Sequence, residues 1–299
     1  QGKYEFPDHA KEEIYCAIRR RQKKQFKRNK KEYERLSDHI GFIPLVMISP
    51  DDDQLIIGGS NERRKFMDMV ISQFDKNYMH ALIRYNRALQ QRNVLLKNEK
   101  EDIDINLLEI WEEQITDEGM YIFERRKAFI DQFIPIFNRF YNLISRSNEN
   151  VSLNYISQLQ DNDLYHLLKT NRKKDIVLGY TTVGIHRDDL EMLLNNFPIK
   201  KTGSQGQNKT FFVSMKLAQF HFLLETTKTK PLLLLDDIFD RLDSSRVEEI
   251  IKLVLNNEFG QIFISDTNRK SLDKMLEKTA HADYRLYSVK NGYINQLTD

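Results

Sequence analysis

Two long stretches of the chain repeat apolar residues at helical spacing. In the first, which starts at Phe66, apolar residues recur every three or four positions with polar residues between them. The second starts at Leu107 and keeps the same period, although it contains Pro135, which can kink a helix. A polar turn at residues 99–104 separates them. The pattern predicts a helical hairpin, an arm that occupies residues 61–150.

Shorter apolar runs beyond the arm are typical of strands. Residues 232–235 are purely apolar, which favours a strand buried on both faces of a parallel sheet. Residues 261–265 predict the next strand, reached through a helix in a βαβ unit. Asn291 and Gly292 separate two further strand-like runs and predict a tight hairpin of type I′.

Other strands are predicted within residues 13–50, at residues 175–180 and around Ile185. Together with the runs above, they indicate an α/β fold interrupted by the arm. The predicted domains are therefore a head, made of residues 1–60 and 151–299, and the inserted arm.

Composition excludes several classes of protein. The single cysteine, Cys16, cannot form an internal disulfide and fits a reducing cytoplasm. No run approaches the roughly 18 apolar residues of a membrane span, and the first residues lack the apolar core of a signal peptide. Because the sequence does not start with Met, we expect it to begin inside a longer chain. The net charge of +2 says nothing about nucleic acid.

The distribution of charge is more informative than its sum. Nine of the 13 residues at 19–31 are Lys or Arg, around a predicted hairpin tip at residues 28–30. A basic ribbon of this kind suits contact with DNA phosphates, and the alternative is a solvated charged face. The candidate DNA-binding residues are Arg19, Arg20, Arg21, Lys23, Lys24, Lys27 and Arg28.

Two adjacent acids follow the apolar run at 232–235. Ligands of open α/β sheets bind beyond the carboxyl ends of the strands, where Asp236 is predicted to lie. Its carboxylate can hold Mg²⁺, and Asp237 can orient or deprotonate an attacking water. The alternative is a pair of acids that only end the strand and begin a turn.

A polar loop, Ser204-Gln205-Gly206-Gln207, precedes a helix with an apolar face. Gly206 allows close approach of a phosphate, and the N-terminus of a helix favours an anion. Alone, the four residues are better interpreted as a polar loop at an ordinary helix start. The order of the following segments adds to this evidence. The loop is followed by one helix, by a buried strand that ends in two acids, and by Asp243. This order matches the half of an ABC-type ATP site that contacts the nucleotide of the partner protomer.

Further segments make the chain resemble the RecF family, the SMC-like, ABC-type ATPases of bacterial recombinational repair. They are Gly-x-His-Arg-Asp-Asp-Leu at 184–190, Tyr-Asn-Arg-Ala-Leu-Gln-Gln-Arg-Asn at 85–93 and Trp-Glu-Glu-Gln at 111–114. The resemblance implies an ABC-type head with a helical insertion and ATP-dependent dimerisation. It also implies cytoplasmic binding to gapped or junction DNA, and work with RecO and RecR to load recombinase in recombination and the SOS response.

The resemblance also implies roles for single residues. Ser204, Gln205, Gly206 and Gln207 match the signature motif that meets the partner's γ-phosphate. Asp236 matches the metal-site acid, Asp237 the catalytic carboxylate and Asp243 the D-loop. These roles imply ATP and Mg²⁺ as cofactors.

Two departures from the family pattern affect the predicted activity. Ser265, Asp266 and Thr267 stand where transporters have a switch histidine, and no G-x-x-x-x-G-K-[ST] phosphate loop occurs in the sequence. The family carries that loop upstream of the first residue here. We therefore expect a weak DNA-dependent ATPase when the loop is present, and no hydrolysis by these residues alone.

Several alternatives remain open at this stage. The chain could be a nucleotide-independent module that binds DNA or a partner, an SMC-like ATPase outside RecF, or, least of all, a transporter ATPase. His186 and Arg187 could face nucleotide or a second protomer, or have a structural role. Arg63 and Arg64 could touch DNA or an acidic helix end, and Trp111 is expected to pack.

Overall fold

A computed structural model gives the fold of the protein. It describes residues 1–6, 10–22, 24–49, 53–98, 103–146, 149–237, 242, 244–255, 259–267 and 284–297. The strands are β1 (Gly2–Glu5), β2 (Lys11–Ala17), β3 (Gln25–Arg28), β4 (Lys31–Glu32), β5 (Leu45–Ile48), β6 (Val151–Ile156), β7 (Asp189–Leu194), β8 (Phe197–Pro198), β9 (Leu232–Asp236), β10 (Ile262–Ser265), β11 (Leu286–Lys290) and β12 (Tyr293–Leu297). The helices are α1 (Gln54–Ile57), α2 (Ser60–Ser72), α3 (Lys76–Asn98), α4 (Ile105–Ser145), α5 (Leu164–Leu178), α6 (Ile199–Thr202), α7 (Gln205–Thr227) and α8 (Ser244–Leu255).

The central sheet consists of three parallel strands in the order β10, β9, β5. This arrangement confirms the predicted strands at 232–235 and 261–265. One face is closed, since Leu233 and Leu235 are buried. On the other face Leu232 and Leu234 are only half-buried, and Met47 and Phe263 beside Leu234 are 41% and 51% exposed, so the predicted burial on both faces is incomplete.

The first predicted helical stretch forms two helices, α2 and α3, separated at residues 73–75. The predicted hairpin is made by α3 and α4, which pack along each other. Helix α4 has 41 residues, and the side chain of Asp104 caps its N-terminus by accepting from the backbone N–H groups of Asn106 and Leu107. Pro135 lies inside α4, which continues to Ser145. Phe137 packs on Phe211 of α7, so the arm and the head share a hydrophobic core. Neither α4 nor any other helix in the described residues is long and apolar enough to cross a membrane.

Strands β6, β7 and β8 form an antiparallel sheet that packs against α2 and α4, while α5 packs on α3 and α4. The strand predicted at 175–180 is wrong, because these residues end helix α5. The side chain of Asp163 caps its first turn, and Gly179 ends it with a left-handed φ of +74°. The strand predicted around Ile185 is also wrong, since this residue begins a single 3₁₀ turn. Short apolar runs do not distinguish a helix from a strand, and the caps decide here.

Two other antiparallel sheets contain hairpins with tight turns at their predicted turn residues. Strands β1 to β4 form one sheet, in which Asn29 and Lys30 make the predicted hairpin tip with φ of +50° and +69°. Strands β11 and β12 pair around Asn291 and Gly292, with φ of +52° and +81°. Positive φ at both central residues is the mark of a type I′ turn. Both hairpin predictions are thereby confirmed.

Candidate nucleotide site

The 204–207 loop caps the N-terminus of α7. The hydroxyl of Ser204 accepts from the backbone N–H of Gln207 at 3.2 Å, while the Gln207 side chain accepts from the N–H of Ser204 at 2.8 Å. This reciprocal pair is a capping box, which fixes the shape of the first turn. The N–H groups of Gln205 and Gly206 lie in that turn, where helical N–H groups have no carbonyl partner within the helix. The loop therefore offers donors and the positive end of a helix to an anion.

Glu149, between the arm and β6, lies behind this loop. Its Oε1 accepts from Nε2 of Gln207 at 2.9 Å and from Nη2 of Arg246 at 3.2 Å, and its Oε2 accepts from the hydroxyl of Tyr141. Burial raises the pKa of Glu149, but the bonds from Tyr141, Gln207 and Arg246 outweigh it and hold the pKa below its ordinary value. Glu149 is therefore the charged partner of the loop.

The two candidate acids lie at the carboxyl edge of the central sheet. Asp236 ends β9, is exposed, and accepts a hydrogen bond from the hydroxyl of Ser265 on the neighbouring β10. The N–H of Asp237 donates to the carbonyl of Ser265 at 3.0 Å, and its φ of +45° turns the chain sharply after the strand. The structure thus brings Ser265, from the segment that departs from the transporter pattern, to both acids.

The donors at this edge suit one metal in particular. They are carboxylate and hydroxyl oxygens, which are hard ligands. No group of three or more His, Cys, Asp or Glu residues in the described part of the chain is arranged to hold a metal. Mg²⁺ is commonly held by one or two carboxylates, with water and phosphate oxygens completing its shell. Asp236 therefore fits as a protein ligand to a nucleotide-bound Mg²⁺.

Residues 184–190 of the head contact the arm through buried side chains. Nδ1 of His186 lies 2.8 Å from the Tyr85 hydroxyl, and Nε2 lies 3.1 Å from the carbonyl of Thr181. Because that carbonyl can only accept, Nε2 holds the proton and Nδ1 accepts from Tyr85. Burial lowers the pKa of His186 to about 4, which keeps the ring neutral. The structural alternative for His186 therefore holds. Arg187 packs over the ring of Tyr180.

Arg63 and Arg64, at the start of the arm, bind the same segment. Arg63 forms a two-point ion pair with Asp189, at 2.6 and 2.9 Å, and is buried. Arg64 donates to the backbone carbonyl of Asp188 at 2.7 Å. These contacts favour neither DNA nor an acidic helix end, and instead fix α2 to the turn before β7. Trp111 packs against the core, as expected.

The candidate DNA-binding residues lie on the β2–β3 connection and on β3. Arg19, Arg20, Arg21 and Lys24 are exposed. Lys27 and Arg28 are half-buried and, as consecutive strand residues, lie on opposite faces of the ribbon. Arg28 forms a two-point ion pair with Glu12 and lies 3.8 Å from the centre of the Phe42 ring. Its guanidinium therefore also holds the sheet together.

Two predicted site residues, Lys23 and Asp243, lie outside the described residues. The residues that sequence reasoning missed are Glu149 and Arg246. No motif contains them, because they lie 58 and 39 positions from Gln207 in opposite directions along the chain.

The comparisons with known proteins identify relatives of this chain. No protein-family model matches the chain. "DNA replication and repair protein RecF" of Bacteroides thetaiotaomicron is 58% identical over 297 residues, which cover 99% of this chain and 80% of that protein. The protein of the same name from Phocaeicola vulgatus is 56% identical over 297 residues, covering 99% and 80%.

Solved structures give the same picture. The recombination mediator protein RecF bound to ATP, described as part of the RecFOR pathway, superposes with a TM-score of 0.84 at 27% identity, over 99% of this chain and 79% of that one. An Smc head domain from Pyrococcus furiosus gives a TM-score of 0.51 at 17% identity, over 98% and 73%, which shows a shared fold only.

The fold and the site define an ABC-type, SMC-like ATPase head with an inserted helical arm. The predicted fold class is thereby confirmed. Within this class, the chain belongs to the RecF family of DNA replication and repair proteins. The predicted resemblance to RecF is confirmed, and the relatives favour the repair function over the alternative of a nucleotide-independent module.

Proposed function

We propose that the protein binds ATP with Mg²⁺, dimerises around the nucleotide and couples this cycle to DNA in recombinational repair. One combination carries the proposal: a capped 204–207 loop at the start of α7 and two acids at the end of β9, in a chain 58% identical to a curated RecF. The ATP-bound RecF structure with a TM-score of 0.84 supports the same ligand.

In this proposal, the 204–207 loop contacts the γ-phosphate held by the partner protomer. The Ser204 oxygen accepts from Gln207, so its own proton is available to a phosphate oxygen. The N–H groups of Gln205 and Gly206 add two donors that need no rearrangement, because the capping box already fixes them. Asp243 belongs to the proposed contact between protomers.

The two acids at the sheet edge are proposed to take part in the hydrolysis of ATP. Asp236, oriented by the hydroxyl of Ser265, is the proposed protein ligand of Mg²⁺. Mg²⁺, when bound, neutralises charge on the phosphates. Asp237 is proposed to orient the attacking water and to accept its proton.

Contact with DNA is assigned to the basic segment. Arg19, Arg20, Arg21 and Lys24 are exposed on one connection, and Lys27 lies on the adjoining strand β3. Lys23 is assigned to the same role from its sequence position alone. Arg28 supports it by holding β3 to Glu12. The substrate is proposed to be gapped or junction DNA, with RecO and RecR as protein partners, as the resemblance implies and the RecFOR description of the solved relative supports.

The test is ATP turnover by the full-length protein with and without DNA. Asp236→Asn and Asp237→Asn should each lower turnover by about a hundredfold or more, because a positioned carboxylate contributes that much. Neither variant should unfold, since Asp236 is exposed and Asp237 is only half-buried. Asp161→Asn, at a solvent-exposed acid, is the control and should be unchanged. Wild-type turnover in both site variants would refute the assignment of Asp236 and Asp237 to the catalytic step. DNA affinity that does not change with ATP would favour the alternative of a nucleotide-independent binding module.

A further inference from the structure

Four residues support the 204–207 loop from behind. We call them the Glu149 cluster: Tyr141, Glu149, Thr210 and Arg246. Glu149 receives hydrogen bonds from Tyr141, Gln207 and Arg246, as described above. The side chains of Glu149 and Arg246 are only 13% and 18% exposed, so solvent screens this ion pair weakly.

The cluster also reaches the glycine of the loop. Nη1 of Arg246 donates to the hydroxyl of Thr210 at 2.8 Å, and that hydroxyl donates to the carbonyl of Gly206 at 2.8 Å. Thr210 is fully buried. Two routes therefore lead from the Glu149–Arg246 pair to the loop: one through the side chain of Gln207 and one through Thr210 to the backbone of Gly206.

The members of the cluster come from separate parts of the fold. Tyr141 belongs to the last turns of α4, and Glu149 lies in the segment that leaves the arm. Arg246 is in the first turn of α8, the helix that follows the acids of β9. A displacement of the end of the arm would move Tyr141 and Glu149, and Gln207 is bonded directly to Glu149.

We infer that Glu149 is a positioning residue that holds the 204–207 loop in its capped shape and couples that shape to the end of the arm and to α8. The effect on nucleotide rests on the proposed function, whereas the effect on the loop does not. A second ion pair, Arg146–Glu249 at 3.2 Å, joins the same two elements without bonding to the loop. It therefore separates positioning of the loop from simple attachment of the arm to α8.

Hydrogen–deuterium exchange on the nucleotide-free, full-length protein tests the positioning. In Glu149→Ala, amides of residues 204–210 should exchange several times faster, because Gln207 and Arg246 lose their acceptor. Glu149→Gln should give a smaller rise, since its amide oxygen can still accept from Gln207 while the charge is lost. Glu249→Gln is the matched control and should leave these amides unchanged. Unchanged exchange in Glu149→Ala would overturn the inference, as would an equal rise in Glu249→Gln.

Sedimentation with ATP separates this inference from the proposed function. Glu149→Ala should weaken ATP-driven dimerisation by about tenfold or more, equivalent to about 1.4 kcal/mol, while ATP affinity of the monomer stays unchanged. Faster exchange together with wild-type dimerisation would retain the positioning role and contradict the proposed role of the loop. If Glu149→Ala does not fold, Glu149→Gln and Arg246→Lys give the same comparison, and wild-type exchange in both would overturn the inference.

Discussion

Arg126 and Asp188 form a buried ion pair between the middle of the arm and the turn before β7. The Nη1–Oδ2 distance is 2.8 Å, and both side chains are 1% exposed. Arg126 also donates to Asp68 of α2 at 2.9 Å and to the carbonyl of Ile185 at 2.8 Å. One residue of α4 therefore ties the start of the arm to the 184–190 segment of the head.

Replacing Arg126 should destabilise the protein strongly. In Arg126→Met, Asp188 and Asp68 lose their cationic partner, and removing one partner of a buried pair costs about 3–5 kcal/mol. Urea denaturation measures the free energy of unfolding. Arg125→Met is the neighbouring control, because its ion pair with Asp75 at 3.2 Å involves a side chain 51% exposed and should contribute under about 1 kcal/mol. Similar losses in the two variants would contradict the account.

The buried ring of His186 predicts a dependence of stability on pH. Its folded-state pKa of about 4 lies below the ordinary value of 6.5, so the unfolded chain binds the proton more readily. Stability should therefore be complete above about pH 6.5 and fall as the pH drops towards 4, by at most about 1.4 kcal/mol per pH unit. Thermal melts across this pH range should show that stability falls less steeply with decreasing pH in His186→Asn than in the wild type. His166→Asn, on the exposed side of α5, is the control, and an equal change in the two variants would contradict the prediction.

The basic connection after β2 predicts a salt-dependent contribution to DNA binding. The triple variant Arg19→Ala, Arg20→Ala, Arg21→Ala should weaken DNA binding and lower the slope of log K against log salt by up to about 2.7, since each phosphate contact contributes about 0.9. Fluorescence anisotropy at several salt concentrations gives that slope. A double variant of two exposed residues on α5, Lys173→Ala with Lys174→Ala, should keep it. A wild-type slope in the triple variant would exclude this surface.

The elements that were predicted correctly from the sequence are those with a strong local pattern, such as helical periodicity or a pair of turn residues. The helical hairpin follows from apolar residues that recur on one face of α4, and Ile115, Ile122 and Phe129 are all buried there. The turn at Asn291 and Gly292 needs two positive φ angles, which these residue types favour. Residues 175–180 were mispredicted because their apolar run fits both periods, and the Asp163 cap decides for the helix.

The candidate site likewise contains residues that the sequence predicted and residues that it did not. The 204–207 loop and the acids of β9 are contiguous motifs, so their residue types and order were readable. The Glu149–Arg246 pair joins residues 97 positions apart, and the Arg126–Asp188 pair joins residues 62 apart. No local period or motif encodes such pairs, because tertiary packing alone brings their side chains together.

Sedimentation of the full-length protein with ATP and Ser204→Arg tests the central claim most directly. In the proposed dimer, a bulky cation at the cap of α7 would occupy the space of the partner's γ-phosphate, so the wild type should dimerise with ATP and Ser204→Arg should stay monomeric. Asp163→Ala removes the cap of another helix, at a cost of about 1 kcal/mol, and should dimerise normally. Normal ATP-driven dimerisation of Ser204→Arg would contradict the account.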